Sequence, residues 1–279
     1  MLNLAEYRNK NACLADLLPW AALVAPGIVL NKDGSFQRTF RFRGPDLESA
    51  TEAELVGFCA RVNNVLKRLG SGWALFAEAV RRPAQEYPAC NFPDPASALV
   101  ERERAAQFAE EGAHFESRYF LTLLWMPPAE DAARAESWMY EGKAQKGVDP
   151  RELLDGFIDR TDRLLRLFEG FFPEVQWLDD GATLTYLHSC ISTRMQQVRV
   201  PETPMHLDAL LADEPLCGGL EPRLGAAHLR TLTVVGFPSA TFPGLLDDLN
   251  AQGFAYRWSM RAIMLDKSDA AKLLGKIRR

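Results

Sequence analysis

Residues 19–43, PWAALVAPGIVLNKDGSFQRTFRFR, decide how this chain is read. Ala22 to Leu30 is an almost continuous apolar run. Asn31-Lys32-Asp33-Gly34 follows with turn chemistry, its glycine free to take positive φ. From Ser35 the pattern alternates. Phe36, Phe40 and Phe42 share one face, and Gln37, Thr39, Arg41 and Arg43 share the other. Period two over that length predicts a half-buried strand, so the stretch reads as two strands joined by a tight turn. Arg38 interrupts the apolar face, as a snorkelling stem or an edge residue would.

Outward from this hairpin the chain alternates helix and strand. Residues 1–18 read as a short amphipathic helix that Pro19 and Trp20 end. Thr51-Glu52-Ala53-Glu54 is a capping box, in which hydroxyl and carboxylate each satisfy a free backbone N–H. Leu55, Phe58, Cys59, Val62, Val65, Leu66 and Leu69 then recur at helical spacing up to Gly70. Trp73 to Val80 predicts a strand, which gives strand, helix, strand in one unit. Asp94-Pro95 opens another helix as cap and first-turn proline. Tyr119 to Met126 is a strongly apolar strand stopped by Pro127-Pro128.

Residues 129–148 are alanine-rich, then polar with glycines, and predict a helix, a loop and a boundary between lobes. Asp149-Pro150 opens the longest helix, with Leu153, Phe157, Leu164, Phe168 and Phe171 as its stripe. Asp179 or Asp180 caps the next, which carries Leu184, Leu187, His188 and Ile191. A second strand-helix-strand unit is expected from Leu229–Phe237, Phe242–Gln252 and Phe254–Leu265, before a basic helix from Lys267. The expected class is α+β: two strand-helix-strand lobes, 1–128 and 129–279, with mixed or antiparallel sheets packed by amphipathic helices.

Composition narrows function. The 279 residues are 47% hydrophobic and 25% charged with net charge −5, ordinary for a globular protein and unlike a dedicated nucleic-acid binder. Cys13, Cys59, Cys90, Cys190 and Cys217 are scattered, odd in number and without a CxxC pair, which reads as reduced thiols rather than a disulfide framework. Residues 17–30 form the one candidate membrane segment; they are shorter than the ~20 residues a spanning helix needs and contain Pro19 and Pro26. No membrane span is therefore expected.

The search for chemistry finds no catalytic, cofactor or metal residues to nominate. A nucleotide phosphate is cradled by GxxxxGK[ST], and that pattern does not occur. His114-Phe115-Glu116 matches a fragment of the zinc deaminase signature, without the PCxxC that supplies the other ligands. Gly236-Phe237-Pro238-Ser239-Ala240 misses GxSxG spacing. Asp179-Asp180 and Asp247-Asp248 sit near helix starts, where the dipole favours carboxylates without any catalysis. Trp20, Trp138-Met139-Tyr140 and Trp258 are the aromatic residues that could mark a docking surface, against core packing as the structural alternative.

Taken together, LVAPGIVLNKDGSFQRTFRFRGPDLESAT (23–51), GSGWALFAEAVRR (70–82), HFESRYFLTLLWMPP (114–128), WLDDGATLTYLHSCISTR (177–194) and residues 206–267 resemble, in order, the N-terminal part of the TrbE subgroup of the TrbE/CagE/VirB ATPases, which serve conjugation and type IV secretion. The resemblance implies a docking domain on the inner-membrane subunits of a secretion channel, followed in the parent protein by a RecA-like motor that holds ATP and Mg and assembles as a ring. No catalytic residue of the family has a matching position here. The resemblance also implies that the motor follows Arg279, that the chain itself carries no cofactor, and that it lies on the cytoplasmic side as a peripheral inner-membrane protein. Its partners would be channel-base subunits and its own C-terminal motor, in a full-length oligomer.

Pro19, Trp20, Arg38, Arg41 and Arg43 are the expected docking surface. Two other readings stay open on these residues. One is an enzyme of unrecognised type, with an inter-lobe pocket lined by His188, Asp180 or Cys190. The other is a peripheral DNA-contacting module using Arg38, Arg41, Arg43 and the tail from Lys267.

Overall fold

The computed structural model describes residues 13–46, 49–84, 87–88, 90–109, 114–128, 149–236, 238–242 and 244–277. The opening stretch forms three strands: β1 (Trp20–Ala25), β2 (Ile28–Asn31) and β3 (Phe36–Arg43). The apolar run expected as one strand folds back on itself at Pro26-Gly27, so that Ala22 pairs with Leu30. Proline sets the first turn position and glycine accepts the second, here at φ 67°. A Cβ at Gly27 would stand 2.2 Å from the Leu178 carbonyl oxygen, so only glycine lets the two chains meet. The second turn forms as expected, with Gly34 at φ 82° and the Asn31 amide donating to the Ser35 carbonyl at 2.8 Å.

Further along lie α1 (Leu14–Leu17), α2 (Glu52–Leu66), β4 (Trp73–Pro83), α3 (Pro95–Phe108) and β5 (Phe115–Trp125). Next come α4 (Pro150–Glu169), β6 (Glu174–Trp177), α5 (Asp180–Ile191) and α6 (Leu207–Leu211). The two-residue strands β7 (Leu216–Cys217), β8 (Arg223–Leu224) and β9 (Ala227–His228) make a small separate sheet. The last elements are β10 (Tyr256–Ile263) and α7 (Lys267–Ile277). Caps agree with the residue signals: the Thr51 amide donates to Glu54 Oε2 at 2.8 Å, while Asp94, Asp149 and Asp179 each accept from a first-turn amide.

The main sheet is antiparallel, in the order β1-β2-β3-β5-β4-β10, with β6 beside β2 on β3. β5 runs against both β3 and β4, so those two are parallel to each other with β5 between them, and α2 makes the crossover. This is the expected α+β class in its antiparallel form. β6 and β10 come from beyond residue 128, so one hydrogen-bonded sheet joins the stretches 1–128 and 129–279. The expected boundary at 129–148, Trp138-Met139-Tyr140 with it, and residues 1–12 of the expected first helix lie outside the described residues.

Alternation assigns the two faces. Phe36, Phe40, Leu121, Leu123, Trp125, Trp73 and Leu75 point to one face and meet α4 and α2 through Phe157, Leu164, Phe168 and Val65. On the other face Val29 and Phe120 pack with Leu184, Tyr186 and Leu187 of α5, Leu207 and Leu211 of α6, and Trp20. The longest predicted helix therefore buries the stripe its spacing announced.

Two expected elements did not form. Leu229–Phe237 has no strand among its described residues, and Leu232 and Val235 are 96% and 100% exposed. β-propensity reports fit to a pleated surface, and no neighbouring strand offers its backbone there. Phe242–Gln252 holds only a 3-10 turn, Asp247–Leu249. Gly244 at φ 88° is off the right-handed path, so no α-helix runs through it from Phe242.

Candidate functional site

The five expected docking residues do not converge. Pro19 is exposed, but Trp20 beside it is 8% exposed and locked into the core with Leu184, Leu187 and Leu207. Arg38 lies on the face opposite Arg41 and Arg43, by strand alternation. Its Nη1 donates to Thr161 Oγ1 at 2.9 Å and Asp162 Oδ1 at 2.7 Å, and its guanidinium lies 4.0 Å over the Trp177 ring. Trp177 Nε1 donates to the same Asp162 oxygen at 3.1 Å. Arg38 is thus a strut between sheet and α4, neither snorkelling nor at an edge. Arg41 pairs with Glu174 at 3.0 Å on the adjoining β6, and Arg43 ends β3 exposed. Nothing local in the sequence announces the Arg38–Asp162–Trp177 arrangement, because its partners stand more than a hundred positions away.

The expected pocket residues are also separated. Asp180 Oδ1 accepts the Gly27 amide at 2.7 Å, fixing α5 to the β1–β2 turn. His188 lies eight residues on, about 12 Å along the helix axis. His188 is buried, and its Nε2 meets Asp213 Oδ2 at 3.0 Å. Burial is the largest single influence and raises the Asp213 carboxyl, but the hydrogen bond and charge of His188 together with the Ser192 hydroxyl hold it below its ordinary value. Among the described residues, no group of three His, Cys, Asp or Glu could hold a metal ion.

Cys190 belongs to a polar network missed by sequence reasoning. Glu78 on β4 accepts from Tyr186 Oη at 3.0 Å and from Arg257 Nη1 at 2.9 Å. The same Arg257 nitrogen reaches Cys190 Sγ at 2.7 Å, and Nη2 donates to Ser189 Oγ at 2.8 Å. Burial pushes the Cys190 thiol up to about 11, even with Arg257 beside it. At pH 8 only about a thousandth of such a thiol is thiolate, the species that reacts. Cys13, Cys59, Cys90 and Cys217 are exposed. In Ellman titration at pH 8 these four should react promptly and Cys190 only after unfolding. Prompt reaction of all five would contradict the burial.

A cavity of about 950 Å³ opens along β3, β5, β4 and β10. Phe42, Tyr119, Ala79 and Trp258 form one wall, and Leu246 and Leu249 the other. It contains none of His188, Asp180 or Cys190. Its polar groups, Arg43, Glu78 and Asp247 among them, do not form a nucleophile–base arrangement.

Comparison with known proteins adds what geometry leaves open. Residues 27–133, which hold β2 to β5, match the family model described as type IV secretion system ATPase VirB4/TrbE, N-terminal domain. The chain is similar to conjugal transfer protein TrbE of Rhizobium radiobacter, 33% identical over 299 residues, covering 100% of the chain and 36% of that relative. It is also similar to the first of two Sinorhizobium fredii segments named as a probable conjugal transfer protein TrbE, 38% identical over 148 residues, 52% of the chain and 99% of the relative. More distant is type IV secretion system protein virB4 of Brucella suis, 22% identical over 298 residues, with 97% and 34% covered. The chain thus spans about a third of the length of the Rhizobium radiobacter relative.

Proposed function

The chain belongs to the VirB4/TrbE family of type IV secretion ATPases and carries its N-terminal domain, and from that premise we propose that it is a non-catalytic docking unit of a conjugal transfer machine. In this reading it seats the motor on the inner-membrane channel complex from the cytoplasmic side. ATP and Mg are handled by the motor, outside these residues, and the assembled protein is an oligomer. Contact with the membrane is peripheral; among the described residues no helix is long and apolar enough to cross one.

The single observation that carries the reading is the family match, joined to a sequence without GxxxxGK[ST]. The fold suits the task. A sheet packed on both faces deforms little, so a force applied at one end is transmitted to the other. Neither alternative gains support from a specific contact. Arg38 and Arg41 are engaged with carboxylates, which leaves no free arginine row on β3 for DNA.

The test is capture by the purified chain of inner-membrane subunits from a conjugal transfer apparatus, in parallel with an assay of nucleoside triphosphate turnover. Retention of a channel subunit, with turnover at the level of a blank preparation, is expected. A folded chain that retains none, or one that turns over ATP, overturns the reading.

A further inference from the structure

We propose that the cavity between the end of α2 and the outer side of α4 is a docking pocket for an acidic peptide segment of a partner protein, one that inserts an aromatic or aliphatic side chain flanked by carboxylates. This rests on the docking reading and names the chemistry of the partner. The cavity measures about 430 Å³. Leu167 of α4 provides its accessible apolar surface, over a floor of Trp73 and Trp125, which are 5% and 8% exposed with ring centroids 6.1 Å apart. Arg68, Arg160 and Arg163 ring it, all exposed. The Arg160 guanidinium stands 5.3 Å from the centre of the Trp125 ring.

Charge decides the occupant. Arg163 is paired with Asp159 one turn away. Arg68 and Arg160 have no carboxylate partner among the described residues. The one carboxylate in the lining, Asp266, accepts from the Ser71 amide at 3.2 Å. A protein of net charge −5 therefore concentrates uncompensated positive charge around an apolar floor. Such a site attracts an anionic segment and holds it by an apolar anchor. Single-stranded nucleic acid wants successive cations along a groove beside stacking platforms, whereas these arginines surround one pocket whose indoles are buried in the core.

The rim of the pocket also holds the start of α7. Ser71 on its rim donates through Oγ to Asp269 at 2.6 Å and accepts from the Asp266 amide at 3.0 Å. Both carboxylate residues stand at the start of α7. A segment seated in the pocket presses on the Ser71 turn, and the turn holds the start of α7.

The experiment uses the 279-residue chain and the fluorescein-labelled hexapeptide EEFLEE, read by fluorescence anisotropy at low salt. EEFLEE is expected to bind, KKFLKK to leave the anisotropy unchanged, and the paired change Arg68→Glu with Arg160→Glu to weaken EEFLEE about tenfold or more. Both arginines are exposed, so circular dichroism should be unaltered; Arg160→Lys, which keeps the charge that attracts the peptide, should bind within about threefold of the unmodified chain. Equal binding by the charge-reversed variant, or equal binding of the two peptides, overturns the pocket. Displacement of EEFLEE by ATP at lower concentration than by unlabelled peptide overturns it in favour of a phosphate ligand. If the charge-reversed chain still captures channel subunits at full yield, the pocket is overturned and the docking reading stands. If the unmodified chain captures none, the docking reading itself falls.

Discussion

Phe157→Ala is expected to lower the unfolding free energy by about 3–5 kcal/mol, the range for deleting a fully buried aromatic ring. Phe157 is wholly buried on α4. Its ring centre lies 5.7 Å from Phe36, 5.8 Å from Trp73 and 6.3 Å from Trp125. One side chain therefore ties the longest helix to β3, β4 and β5 together. Those neighbours are themselves large and rigid, so the cavity left by alanine collapses poorly and the cost falls high in the range. A domain of ordinary stability holds only about 5–15 kcal/mol in reserve. Urea titration followed by circular dichroism measures the loss, and the flanking tryptophans supply a second signal in fluorescence. Phe157→Leu, which keeps most of the volume, should cost clearly less. A change below about 1 kcal/mol for the alanine variant would mean that α4 does not pack on this sheet as described.

Glu78→Ala is the second large effect, expected at about 3 kcal/mol. The carboxylate stands on the sheet face that α5 covers, with its side chain 12% exposed. It is the counter-charge of Arg257 on β10 and the acceptor for Tyr186 Oη. Deleting it leaves the guanidinium half-buried against Ser189 and Cys190 without an opposing charge. The Arg257 side chain keeps 24% exposure, so water relieves part of the cost, and the lower end of the range for a broken buried pair applies. Replacing both partners, Glu78→Leu with Arg257→Met, should cost less than Glu78→Ala alone, since no stranded charge remains. Chemical denaturation of the two variants decides it. A double replacement more damaging than the single one would show that the network contributes net stability beyond charge balance.

These two sites differ in how far the chain itself announces them. The stripe Phe157, Leu164, Phe168 is visible as spacing, because a helix carries its period in its own residues. What the ring meets is not visible, since Phe36, Trp73 and Trp125 arrive from three separate strands. Glu78 is one carboxylate on a strand; its role appears only when β10 and α5 bring Arg257 and Tyr186 to it. Trp20 and Arg38 illustrate the converse. Aromatic and cationic residues near a surface hairpin look like contacts for a partner, yet α5, α6 and Asp162 consume them within the fold. Likewise, Arg68, Arg160 and Arg163 lie in two segments nearly a hundred residues apart, and nothing in either segment marks them as one ring.

By itself the sequence determined the α+β class, the capped helices and the β3 alternation, together with the family resemblance. All are set by local caps and periods or by an ordered series of short stretches. Tertiary structure alone decided that the first apolar run is two strands, that β6 and β10 complete the sheet, and that residues 229–236 form no strand. The physical reason is that a strand is stable only beside another backbone, and which backbone arrives is fixed by packing across the whole chain.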